Sequence, residues 1–192
     1  MANKIKYGLR NVYYAKATIA NDGSATYATP VAFPGAVSLS MEPQGENSPF
    51  YADNIAYWAG ISNAGYEGDL EIARIIDTFK TDILGYKTGA NGLVYEDANA
   101  TPANFALLFQ FEGDEHATRH VLYNCVATRA GVAGQTRGET VEPQTETINI
   151  KASSIFVTAL DTDVTKAEVA NVSATSGVYA SFYSAVTLPT SA

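Results

Sequence analysis

The sequence predicts a mainly β fold with one short helix. Three observations carry this. Apolar and polar residues alternate over several segments, turn residues separate them, and a helical apolar spacing occurs once, over residues 76–85.

Residues 11–19, NVYYAKATI, are aromatic and β-branched, which suits a pleated, half-buried surface. Asn21-Asp22-Gly23 then marks a turn. Residues 36–41, AVSLSM, alternate cleanly behind Pro34-Gly35. The stretch 42–63 breaks the pattern, interleaving Pro, Gly, Asn and Ser with Phe50, Tyr51, Ile55, Tyr57 and Trp58. A solvated loop rarely carries so many large apolar side chains. Either it folds back on its own core, or it is an arm that buries them on another subunit.

Residues 66–75 alternate again, with Tyr66, Gly68, Leu70 and Ile72 on one face and Glu67, Asp69 and Glu71 on the other. Nothing nearby in sequence neutralises these three carboxylates. A solvated outer face is their default meaning, and a charged channel wall is the alternative. Residues 76–85 form the expected helix: Asp77 is placed to cap it, Phe79 and Ile83 share its apolar side at i and i+4, and Gly85 ends it. Residues 105–129 read as a hairpin around GDEHAT. Its first strand puts Phe105, Leu107, Phe109 and Phe111 on one face, and its second is apolar on both. Residues 143–153 alternate once more. The stretch from 154 to 192 is rich in Ala, Ser, Thr and Val, and its aromatics Tyr179, Phe182 and Tyr183 need a surface to bury against.

Chemistry-bearing patterns are scarce. Cys125, the single cysteine, excludes an internal disulfide and a cysteine-built zinc site; its LYNCVA setting reads as a buried, inert thiol. His116 and His120 fall in turn and strand, not on a helix face, and no nucleophile has a recognisable setting. No catalytic, cofactor or metal residue is therefore expected. The opening MANKIKYGLR has no signal-peptide core, and no stretch approaches the ~20 apolar residues of a membrane helix, so folding in a cytoplasm is expected. Twenty acids against 12 bases leave a net charge of −8. That balance opposes gripping nucleic acid, yet suits a surface that nucleic acid must pass without sticking.

Four co-linear blocks, TPVAFPGAVSLSMEPQGENSPFYADN, NAGYEGDLEIARIIDTFKTDILGY, FALLFQFEGDEHATRHVLYNCVATR and EPQTETINI, resemble the major tail protein (tail tube) family of long-tailed siphophages of Gram-positive hosts. The closing VYASFYSAVTLP resembles that family's carboxyl end more weakly. One position departs: the family often has proline where Ile76 stands. The resemblance implies a β-sandwich or barrel-like tail-tube fold with one flanking short helix and extended loop and terminal arms. It implies a single domain over 1–192, with a core at about 7–153, an inter-ring loop at about 42–63 and a C-terminal arm at about 154–192. Hexameric rings would stack into a tube, a structural virion component assembled in the host cytoplasm and a conduit for DNA ejection, with no enzymatic role. The implied partners are further copies of the chain, a tape-measure protein, a tail terminator and a distal tail protein, and no membrane. On this reading Glu67, Asp69 and Glu71 become a candidate lumen wall. Phe50, Tyr51, Ile55, Tyr57, Trp58, Tyr179, Phe182 and Tyr183 become candidate inter-subunit contacts. Two rivals share parts of the pattern: the tube of a secretion system or phage-tail-like bacteriocin, and a monomeric β-sandwich module binding carbohydrate through Tyr57 and Trp58.

Overall fold

In a computed structural model, residues 4–136, 143–171 and 177–191 are described. The alternating segments become strands. In chain order these are β1 (Lys4–Ile19), β2 (Ala25–Tyr27), β3 (Val31–Ala32), β4 (Ala36–Gln44), β5 (Asn47–Ala52), β6 (Ile55–Ile61) and β7 (Gly65–Ile72), followed by helix α1 (Asp77–Asp82). Next come β8 (Lys87–Thr88), β9 (Val94–Tyr95), β10 (Phe105–Asp114), β11 (Arg119–Ala127) and β12 (Glu146–Ser153). The chain closes with β13 (Ile155–Val157), β14 (Thr162–Val164), β15 (Lys166–Val169) and helix α2 (Val178–Ser181).

Nine strands form one antiparallel sheet in the order β2-β1-β10-β11-β12-β7-β4, with β15 added to β11 and β3 to β1. The fold is mainly β, as the alternation predicts, but hydrogen bonds do not close the sheet into a barrel within the chain. Its inner face holds the larger core. Tyr14, Phe105, Leu107, Leu70, Ile72, Ile148 and Ile150 meet there. Phe79 of α1 and Ile83, which follows it, plug this core at 0% exposure, Phe79 stacking on Phe33 at 4.5 Å and meeting Tyr14 and Phe105 edge-on. Burying one such side chain contributes about 1.5–3 kcal/mol.

A second core lies behind β1, β10 and β11. Ala106, Leu108, Val121 and Tyr123 are covered there by Ile155, Val157 and Phe182. Residues 105–110 are thus buried on both faces of the sheet, which explains why β10 reads as an unbroken apolar run. Gln110 is the buried polar residue of this run; its side-chain oxygen accepts hydrogen bonds from Asn11 Nδ2 and the Tyr183 hydroxyl, both at 3.3 Å.

The structure corrects three expectations. Asp77 does not cap α1: Ile76 occupies the cap position with no side-chain hydrogen bond, and Asp77 instead pairs with Lys80 at 3.1 Å. The φ of −71° at Ile76 is one that proline also adopts, which reconciles this residue with the proline of the resembling family. Second, the described part of 154–192 is not an extended arm, because β13–β14, β15 and α2 pack back over the second core. Third, two short helices are present where one was expected.

Candidate functional site

Register decides what surrounds the acidic row. In β7, Glu67 stands between Lys151 of β12 and Glu42 of β4, Asp69 between Asn149 and Ser40, and Glu71 between Thr147 and Ser38. Directly paired residues of antiparallel strands share a face, so these side chains form one polar outer surface opposite Leu70 and Ile148 of the core. It carries four carboxylates against one lysine. The row's cationic partner comes from a segment distant in sequence. Lys151, distant in sequence, reaches Glu67 at 3.3 Å. That pair is solvent-exposed and contributes about 0–1 kcal/mol. Hydroxyls of Thr145 (2.7 Å) and Ser38 (3.0 Å) donate to Glu71 and hold its carboxyl below the usual range, so it stays ionised at neutral pH. Asn149 Nδ2 donates to Asp69 at 3.2 Å.

The stretch 42–63 is a projecting hairpin. β5 and β6 pair with each other and, among the described residues, with no other strand. Ala52 opposes Ile55 across a two-residue turn, Asp53-Asn54, with φ of 52° and 60°. Two successive positive φ values are the mark of a type I′ turn, whose twist matches that of paired strands. This signal was present in the sequence, between PFYA and IAYW. Phe50, Tyr51, Ile55, Tyr57 and Trp58 are all exposed, from 59% to 72%. The hairpin therefore does not fold back on its own core.

The C-terminal aromatics differ. Phe182 is 6% exposed, its ring covered inside the second core of its own chain. Tyr183 stacks on Tyr13 at 4.7 Å. Arg119 lies over the rings of Tyr179 (3.8 Å) and Tyr183 (4.7 Å) and donates to the Tyr179 carbonyl, while the Tyr179 hydroxyl donates to the Ala117 carbonyl at 2.8 Å. The chain's own surface thus answers what these rings bury against.

Burial pushes the Cys125 thiol well up, far from a reactive thiolate. His120 stacks on Phe109 and points Nδ1 at Glu168, 3.3 Å away. Burial holds its pKa below the ordinary 6.5, the pull of Glu168 notwithstanding, so at neutral pH the ring is neutral and the contact is not an ion pair. A cleft of about 440 Å³ beside it is lined by Leu39, Ser40, Met41, Phe111, Lys166 and Glu168 among others. Among the described residues no group of three or more His, Cys, Asp or Glu is placed to hold a metal.

An acidic sheet face and a projecting hairpin with exposed apolar side chains are the two surface features that distinguish this β protein. The model of the phage tail tube protein family matches residues 2–191, and the chain belongs to that family. It is a structural component of a phage tail. No functionally curated protein matches the sequence. A chain in the cryo-EM structure of the anti-feeding prophage (AFP) baseplate, 6-fold symmetrised, superposes with a TM-score of 0.45 at 10% identity, covering 87% of this chain and 95% of that one.

Proposed function

We propose that copies of this chain close into hexameric rings, that the rings stack into the tail tube of a siphophage of a Gram-positive host, and that viral DNA leaves through the bore. The β5–β6 hairpin carries the reading. An isolated two-stranded hairpin is at best marginally stable in water, and this one holds its large apolar side chains outward. Burial on a neighbouring copy stabilises both the hairpin and the assembly. The row Glu67, Asp69 and Glu71, joined by Glu42, is assigned to the lumen, where fixed negative charge keeps DNA phosphates from sticking. Residues 105–110 of β10 are left out of that assignment, being buried on both faces. The tape-measure protein, tail terminator and distal tail protein are assigned as partners and the host cytoplasm as the assembly site, on the resemblance quoted above. No catalytic role is assigned.

Negative-stain electron microscopy of the concentrated protein, alone and with its tape-measure protein, tests this. Hollow tubes or six-fold rings are expected, and Phe50→Ala/Trp58→Ala should leave a folded monomer without tubes. A uniform monomer from the unaltered chain would refute the reading and favour a glycan-binding module using Tyr57 and Trp58.

A further inference from the structure

We infer that the cleft beside His120 binds a single-chain amphiphile, an alkyl chain ending in a carboxylate. The site belongs to one chain alone and does not depend on the tube reading. It exists because β11 is shared by two diverging strands. Residues 124–127 of β11 pair with β12, and residues 119–122 pair with β15. Both partners lie on the edge of β11 that β10 leaves free, so the sheet forks there. Side chains of β1, β4, β7, β10, β11 and β15 line the gap, which measures about 440 Å³. Small-molecule sites run from about 300 to 1,000 Å³.

The lining is apolar within and cationic at the rim. Phe109, Phe111 and Leu122 come from the sheet, and Leu39 and Met41 from β4. Lys166 Nζ lies 5.3 Å from the centre of the Tyr66 ring, and Lys6 Nζ 4.9 Å from that of Phe111. Neither ammonium has an ion pair among the described residues. A ring face attracts an ammonium but leaves its three N–H donors without an anionic acceptor. The carboxylates nearby are placed unevenly. Glu168 lines the cleft and is turned to His120 Nδ1 at 3.3 Å. Asp114 and Glu115 line an adjoining hollow that shares Lys6 but not Lys166. The Asp114 carboxylate there accepts from the backbone N–H groups of His116 and Thr118. A carboxylate head therefore belongs at Lys166 beside Tyr66. The alkyl chain then runs over Phe109 and Phe111 toward the stem of Lys6, whose methylenes extend the apolar surface.

Equilibrium dialysis of the full chain against decanoate, below its micelle concentration, tests the site whether or not the chain is assembled. Binding should saturate at about one decanoate per chain and weaken as salt screens the head group. Lys166→Gln, at an exposed position, should weaken it about five-fold, the loss of one partly exposed ion pair. Tyr57→Asp/Trp58→Asp should bind like the unaltered chain, which separates the cleft from the exposed apolar hairpin. Decyltrimethylammonium, with the same chain length and the opposite charge, should bind more weakly than decanoate by five-fold or more. Equal binding of the two amphiphiles, unchanged affinity in Lys166→Gln, or loss of binding in the hairpin variant would overturn the inference. So would the absence of binding to assembled chains, the result expected if a second copy fills the cleft.

Discussion

Gly68 shows how a single residue holds the acidic face in place. A Cβ built there would lie 1.8 Å from the Ser40 carbonyl oxygen, a backbone atom of the neighbouring strand. β4 would have to move, and with it the register that sets Glu71 between Ser38 and Thr147. Gly68→Ala should therefore cost about 1–3 kcal/mol, read as a lower urea midpoint. The tyrosines act at the same scale. Burial pushes the phenols of Tyr14, Tyr123 and Tyr183 from 10.0 up to about 12, and that of Tyr27 higher still. Tyr27 and Tyr123 donate to the carbonyls of Tyr123 and Thr187, so all of these positions favour the neutral ring. An unfolded chain ionises them near 10, where the folded one keeps its protons. Their contribution is thus complete below pH 10 and is lost as pH rises toward 12. Denaturation midpoints should fall over that window, with tyrosinate absorbance of these residues appearing only on unfolding. A midpoint flat from neutrality to pH 12 would contradict the burial.

At the scale of elements, alternation made the strands legible because a strand with one wet face must alternate. Residues 36–41 lie within β4 as read, while the alternating segments 66–75 and 143–153 pair as strands only over their parts in β7 and β12. The hairpin was legible as an aromatic anomaly but not as two strands. Alternation registers burial against a core, and β5 and β6 have none in this chain. The acidic face was legible on its own strand only, since Lys151 and Thr145 reach it through pairing with a distant segment. Asp77 failed as a cap because the chain enters α1 one residue earlier, at Ile76. The face itself yields a prediction. Replacing Glu67, Asp69 and Glu71 by lysine sets basic residues alongside Lys151 on a surface assigned to the lumen. Assembled tails carrying the triple variant should eject DNA more slowly, with the defect relieved by added salt, since phosphate attraction weakens as salt rises. Unchanged ejection from intact variant tails would move the lumen to another surface.

The whole molecule has two cores sharing β1, β10 and β11, and the second is completed by the end of the chain. Read from sequence, Tyr179, Phe182 and Tyr183 look like anchors for another subunit, because aromatics near a terminus carry no sign of which surface they meet. In the fold, Arg119 is held between the rings of Tyr179 and Tyr183, and Phe182 seals Val121 and Tyr123 from behind. An arm and a seal behave differently when removed. A chain ending at residue 176 would keep full stability if 177–191 only bridged subunits, and would lose tubes alone. As a seal, its loss uncovers the back of β10 and β11, where Leu108, Val121 and Tyr123 are now at most 2% exposed. Losing one buried phenylalanine alone costs about 3–5 kcal/mol, a large share of the ~5–15 kcal/mol that holds a domain folded. The truncated monomer should melt well below the full chain and bind a hydrophobic dye before it melts. Equal melting temperatures for the two monomers would restore the arm and assign the second core to the sheet alone.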